Sequence, residues 1–294
     1  DEADAQFALH DFGARGASSF ESASIGGSAH LLNFGGSDTI AGALFAMKYY
    51  GGQMPAISIP ASEHSTMTAW GKDGEINAFK NMCERFGDGV FACVIDSYDA
   101  LNAIDLWAKN FDEIKKRGGR VVLRPDSGNP VMMASACLER IMSHTGYSIN
   151  DKGYKLLPPF VRLIYGDGIT PESLNDILNE LKMRHISASN INFGMGGALL
   201  QHLNRDTLRF AMKASAISKD GINWQDVFKA PNTDMTKRSK AGVLALIKKD
   251  GVYHTIRADE LKNQKNELEP VFKNGEILRK SSFDEIKARI IEHS

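Results

Sequence analysis

The sequence predicts an α/β protein, an irregular (β/α) barrel followed by part of a second α/β domain that contains strands. Three observations carry that reading. Between about residues 30 and 205, short runs rich in Val, Ile, Leu and Phe alternate with amphipathic stretches of helical period. Nearly every apolar run stops at a Gly-rich or polar turn, and in barrels and open α/β sheets such turns line one shared ligand face. After Arg205 the pattern changes to short strands joined by Lys249-Asp250-Gly251 and Lys273-Asn274-Gly275, which are hairpin signals.

In chain order, strands are expected at 30–34, 90–95, 120–124, 160–165 and 190–193. These are continuous apolar runs of the kind buried on both faces of a parallel sheet. Helices are expected at 40–50, 75–86, 98–109, 130–144 and 172–183. In the last, Leu174, Ile177, Leu178 and Leu181 fall at i, i+3, i+4 and i+7, a single apolar face. Residues 10–16 carry little helical or strand pattern. Beyond 205, strands are expected at 243–247, 253–256 and 271–272, with a closing helix over 282–292 that Ser282 caps. The barrel domain is placed at 1–205 and the C-terminal part of the second domain at 206–294. No low-complexity tract and no repeat of roughly 20–50 residues interrupts this order.

The 294 residues hold 35 Lys and Arg against 36 Asp and Glu, a net charge of -1. No broad field therefore recruits nucleic acid or an acidic membrane, and any bound anion must be held by local groups. Cys83, Cys93 and Cys137 lack CxxC spacing, which argues against a disulfide framework or a zinc site and for a reducing cytoplasm. No apolar run reaches the roughly 18 residues a membrane span needs, and the acidic start Asp1-Glu2-Ala3-Asp4 is unlike a signal peptide. Without an initiator Met the chain reads as a fragment or a processed piece.

Several turns have the composition of a phosphate and sugar site. Gly166-Asp167-Gly168 and Gly194-Met195-Gly196-Gly197 follow the last two barrel strands, and the second opens into a helix start. Glycines there let backbone N–H groups approach an anion, with Arg205 two turns further on; the plainer alternative is two tight strand–helix turns. In Arg124-Pro125-Asp126-Ser127-Gly128, the arginine suits an anionic oxygen and Asp126 a hydroxyl or magnesium, or else Asp126 caps the next helix. His64 beside Glu63 is either structural or an acid/base or phosphoryl-transfer group. Asp38 and Asp96 sit between a strand and a helix, as ligand groups or as caps. Phe12 and Arg15, on a glycine-flanked loop, suit a clamp on a flat ligand, or are a buried ring and a surface charge. Together these signals point to a phosphorylated sugar or nucleotide.

His10-Asp11-Phe12-Gly13 with Arg15-Gly16, Asp38-Thr39 with Ala41-Gly42, Glu63-His64-Ser65-Thr66 with Ala69-Trp70-Gly71, Asp96-Ser97-Tyr98-Asp99, the 124–130 segment, Gly153-Tyr154-Lys155-Leu156-Leu157-Pro158-Pro159 and Lys237-Arg238-Ser239-Lys240 follow one another in this order. In that order the chain resembles the nicotinamide phosphoribosyltransferases, of type II phosphoribosyltransferase fold, from about residue 10 to 286. The resemblance implies an irregular α/β barrel beside a second α/β domain, and a cytoplasmic homodimer with shared active sites. It implies synthesis of nicotinamide mononucleotide from nicotinamide and 5-phosphoribosyl-1-pyrophosphate (PRPP) in NAD salvage, with magnesium and with ATP as a facultative co-substrate. Carried over by motif, Phe12 would stack on the nicotinamide ring and Asp38 would accept from its amide. Arg15, Arg124, Asp126, Gly166, Asp167, Gly196, Gly197 and Arg205 would hold the phosphoribosyl group and its phosphates, and Lys213 and Lys229 would reach pyrophosphate. Asp96 would lie near the reacting ribose, and His64 would be phosphorylated by ATP; the metal ligands stay unassigned.

Two departures accompany the resemblance. The family chain extends further at the N-terminus, which implies a companion N-terminal segment, and Ala14 stands where animal members carry a bulky aromatic. A nicotinate-preferring relative and an inactive nucleotide-binding portion remain as alternative expectations.

Overall fold

The computed structural model describes residues 5–207, 211–230 and 238–292. The chain divides into two compact units, Asp1–Leu203 with Ser282–Ser294, and Asn204–Ser281. Among the described residues no helix is long and apolar enough to cross a membrane.

In the first unit, β1 (Leu9–Asp11), β2 (Gly36–Ser37), β3 (Val90–Val94) and β4 (Arg120–Arg124) are barrel strands. A small antiparallel pair, β5 (Ser148–Ile149) and β6 (Lys155–Leu156), precedes β7 (Val161–Tyr165) and β8 (Ile191–Met195). The six longer-range partners form one parallel sheet in the order β2-β1-β8-β7-β4-β3. Residues 57–61 join its two edges: Ile57 bridges Gly36 and Ala61 bridges Ala92, both parallel. At one end the Ile57 N–H donates to Gly35 O (2.8 Å) and the Ser37 N–H to Ile57 O (3.1 Å); at the other, the Ala92 N–H donates to Pro60 O (2.8 Å). The curled sheet thus closes, and its staves follow in chain order.

Period-two alternation sorts the strand residues. Phe91, Cys93, Val121, Leu123, Val161, Leu163, Phe193 and Met195 pack outward into the main core beneath the helices, with Phe79 and Trp107. Ala92, Val122 and Ile164 face inward, against Phe12 and Ile59. The helices are α1 (Phe20–His30), α2 (Ile40–Tyr50), α3 (His64–Thr68), α4 (Glu75–Phe86), α5 (Ala100–Ala108), α6 (Phe111–Arg117), α7 (Pro130–Thr145), α8 (Pro171–Met183), α9 (Gly197–Gln201) and α10 (Phe283–Ile291). All three cysteines are free and buried.

The strand expected at 30–34 is absent. His30 ends α1, and the apolar run there serves helix packing, with Leu31 buried against Ala43, Ala46 and Phe283. Helix α1 itself escapes a propensity reading because its sequence, FESASIGGSAH, is rich in Ser and Gly. Tertiary contact overrides that: a Cβ on Gly42 would lie 2.5 Å from the Gly27 carbonyl carbon, so the bare glycines let α1 and α2 touch backbone to backbone. Ser282 caps α10 as expected, in a reciprocal capping box with Glu285.

Among the described residues the second unit holds three antiparallel pairs: β9 (Ala216–Ser218) with β10 (Trp224–Asp226), β11 (Leu244–Lys249) with β12 (Val252–Arg257), and β13 (Phe272–Lys273) with β14 (Glu276–Ile277). Asp250-Gly251 and Asn274-Gly275 all take positive φ, the geometry of two-residue hairpin turns.

Candidate active site

The inward parity of the barrel leaves a cavity of about 500 Å³ lined by Phe12, Asp38, Ser58, Ile59, Val122 and Arg124, among others. Phe12 follows β1, its N–H donating to Met195 O (3.0 Å). Its ring fills the place where a side chain on β8 would stand: a Cβ on Gly194 would lie 2.0 Å from Phe12 Cε2. Gly166 sits between the ring and the neighbouring acids, its would-be Cβ 3.3 Å from Phe12 Cε2 and 3.4 Å from Asp126 Oδ1.

Asp38 follows β2. Its N–H donates to Asp11 O (2.9 Å), and its Oδ1 accepts from Ser58 Oγ at 2.5 Å. Across the cavity, the Arg124 Nε is buried without a hydrogen-bond partner among the described residues. A buried cationic donor left unsatisfied favours an anionic ligand. Arg120 and Arg162, on the same inward parity, donate instead to backbone carbonyls, Arg120 to Pro159 O at 2.6 Å and Arg162 to Pro158 O at 2.7 Å. His10 also lines the cavity; burial lowers its imidazole pKa, against the opposing charge of Asp38.

A second cluster forms where β3 and β4 end. Asp96 Oδ1 accepts from His64 Nε2 (2.9 Å), and Oδ2 accepts from the Asp126 N–H (2.9 Å) and from Ser127 Oγ (2.5 Å). The His64 side chain is 44% exposed and that of Asp96 only 5%, so a fixed carboxylate holds an accessible ring. Burial alone would raise the Asp96 carboxyl, but hydrogen bonds from Ser127, His64 and the Asp126 N–H outweigh it and hold the group below the usual carboxylate range. Asp126 moves the other way: burial lifts it, Arg124 opposes, and the charges of Asp96 and Asp167 add to the rise. Behind this loop, the Tyr165 hydroxyl donates to Ser127 O (2.9 Å), and burial pushes its own pKa up to about 12.

The capping alternatives are resolved by the helix starts. Glu63 caps α3, accepting from the Ser65 and Thr66 N–H groups, which leaves His64 free to turn toward Asp96. Asp99 caps α5 and Asn129 caps α7, while Thr39 occupies the N-cap position of α2. Asp38, Asp96 and Asp126 therefore cap nothing.

Of the remaining expected residues, Asp167 lies exposed in the turn after β7, and Gly196 and Gly197 open α9. Arg15 is on a short 3-10 turn, Ala14–Gly16, whose Gly16 lies against Gly197. Arg205, Lys213 and Lys229 are exposed residues of the second unit; Arg205 pairs with Asp206 at 3.4 Å, and the Lys229 N–H donates to Ser239 Oγ. Lys237 lies outside the described residues. Ser58 was not singled out by the sequence, although Ile57-Ser58-Ile59 between Pro55 and Pro60 hints at a strand. Ser127 was legible only as part of its turn. Among the described residues no group of three or more His, Cys, Asp or Glu is arranged to hold a metal ion.

The sequence profile of the nicotinate phosphoribosyltransferase (NAPRTase) family matches residues 7–276. A protein named nicotinamide phosphoribosyltransferase from Xanthomonas campestris pv. campestris (strain 8004) is 44% identical over 292 residues, covering 96% of this chain and 62% of that protein. One of the same name from Mycoplasma pneumoniae is 42% identical over 250 residues, 80% of this chain and 53% of that protein. Another, from Acinetobacter baylyi, is 32% identical over 307 residues, 96% of this chain and 61% of that protein. The chain thus spans between 53% and 62% of the length of these curated relatives.

Proposed function

The chain belongs to the nicotinate phosphoribosyltransferase (NAPRTase) family, and on that premise we propose that it transfers a phosphoribosyl group from PRPP to nicotinamide, giving nicotinamide mononucleotide and pyrophosphate in NAD salvage. The observation that carries this reading is the cavity shared by Phe12, Asp38 and Arg124, whose buried Nε has no hydrogen-bond partner among the described residues. Together they offer a flat ring partner, an amide acceptor and an anion ligand.

As pyrophosphate departs, the ribose takes on oxocarbenium character, so the site must position the incoming pyridine nitrogen and steady charge rather than form a covalent bond to the sugar. Phe12 stacks on the nicotinamide ring and Asp38 accepts from its amide. Arg124, with Arg15 and the backbone of Gly166, Gly196 and Gly197, holds the phosphoribosyl group, while Asp96 faces the developing cation. Asp126, with Asp167, would hold magnesium together with substrate phosphates: burial and neighbouring acids raise the Asp126 carboxyl, which a cation would offset, and Mg²⁺ commonly uses one or two carboxylates plus substrate phosphates. When bound, it would neutralise charge on the pyrophosphate.

His64 is the proposed site of ATP coupling. A hydrogen bond to the Asp96 carboxylate keeps the proton on Nε2, which leaves the Nδ1 lone pair in the neutral ring as nucleophile. Nδ1 attacks the γ-phosphorus of ATP, the bond to the β-phosphate oxygen breaks, and ADP leaves with those electrons. Asp96 then balances the positive charge on the phosphorylated ring until water releases phosphate. We include in the proposal a companion N-terminal segment and a cytoplasmic homodimer with shared sites.

The test is an assay for nicotinamide mononucleotide from nicotinamide and PRPP, with and without ATP. Product formation stimulated by ATP is expected, and its absence under both conditions overturns the reading. Incubation with ATP should also leave acid-labile phosphate on His64; a His64→Ala variant that hydrolyses ATP at the wild-type rate refutes that assignment.

A further inference from the structure

We infer that Ser58 is a specificity-determining positioning residue, which locks the Asp38 carboxylate and makes this corner of the cavity an acceptor-only reader of a carboxamide. The inference rests on the proposed nicotinamide reading and deepens it. Its foundation is geometric. Ser58 Oγ donates to Asp38 Oδ1 at 2.5 Å across 20 positions of sequence, and both side chains line the cavity that Phe12 enters. The placement is set by backbone pairing: Ile57 is bonded on both sides to the Gly35–Ser37 stretch, so Ser58 stands beside the end of β2 in a fixed register.

The hydrogen inventory then decides what this corner can bind. A serine hydroxyl has one proton and two acceptor lone pairs. That proton is committed to Asp38 Oδ1, and the Asp38 N–H is committed to Asp11 O at 2.9 Å. Neither group is left to donate. Between these two side chains, what remains for a ligand is the free Asp38 oxygen and the Ser58 lone pairs. A carboxamide brings two N–H donors to such a pair; a carboxylate brings none and meets acceptors on both sides. The bond is solvent-exposed, and a ring stacked beside it would exclude water and strengthen the discrimination.

Ser58→Ala removes the lock and one acceptor and leaves Asp38 in place; Ser58→Thr keeps the hydroxyl. The experiment measures calorimetric Kd values of the 294-residue chain for nicotinamide and nicotinate in wild type and both variants. Thermal melts check folding, and turnover with PRPP is followed separately. We expect the nicotinamide-over-nicotinate Kd ratio to narrow about tenfold in Ser58→Ala, the scale of one hydrogen bond to a charged group, and to return in Ser58→Thr. An unchanged ratio in a folded Ser58→Ala overturns this inference alone, as does an equal loss of both ligands. Failure of the wild type to bind either pyridine overturns it together with the functional reading. Selective binding that Ser58→Ala narrows, without turnover, sustains the inference while the catalytic reading falls.

Discussion

The two halves of the candidate site are built by different means. The ring pocket is made by what is missing from a strand: Gly194 has no side chain, and Phe12 occupies the vacated space while the barrel register holds it there. The acid cluster is made by donors converging from loops, with Asp96 gathering His64, Ser127 and the Asp126 N–H. One half is set by steric fit; the other is a hydrogen-bond network in which Asp96 and Asp126 are shifted in opposite directions. Shape should therefore govern which ring is accepted, and pH and phosphorylation should govern the phosphoryl side.

The largest expected break in this contrast is at Asp38, where charge enters the steric half. Two like charges about 4 Å apart at an effective dielectric near 20 repel by roughly 4 kcal/mol, on the order of a thousandfold against a nicotinate carboxylate. Asp38→Ser should narrow the nicotinamide-over-nicotinate preference by up to that factor, read as kcat/KM for the two substrates. An unchanged ratio disposes of the idea. A smaller effect is expected from Gly194→Ala, whose new methyl collides with the Phe12 ring. Overpacking of this kind costs about 1–3 kcal/mol, so the urea midpoint should fall and nicotinamide affinity should weaken more than phosphate yield on His64. Equal losses at both sites would show that the halves are not separable.

The smallest effect is also the sharpest test, because two acids of one cluster should respond oppositely. Asp96 is lowered in the folded state, so its stabilising contribution is present above its unfolded value of about 4 and is lost as pH falls through the folded value. Asp126 is raised, so its contribution is full below about 4 and is lost as pH climbs through the folded value. Near neutrality Asp96→Asn should lower Tm and Asp126→Asn should raise it. Both differences should shrink in acid. Shifts of the same sign would contradict the opposed environments of the two carboxyls.

Legibility in the sequence follows the same division. The later barrel strands could be read because continuous runs such as 120–124 and 160–165 are long enough to signal themselves, and hairpins could be read from Asp250-Gly251 and Asn274-Gly275. The first strand is three residues long and the second two, below what any periodicity can register. Helix α1 was hidden by glycines whose purpose is contact with α2. The acids 38, 96 and 126 were visible, but choosing between cap and ligand needed the residues that hold the N-cap positions of the helices that follow them, Thr39, Asp99 and Asn129. Ser58 was silent because its importance lies in a partner 20 residues away.

The segment at 57–61 is pinned to its neighbours at its two ends, through Ile57 and Ala61, and carries in between the residues that touch the cavity. A stave attached in this way can exchange its middle side chains without dismantling a ladder of backbone bonds. Selection, natural or in the laboratory, can therefore retune ligand choice there at little risk to the integrity of the barrel.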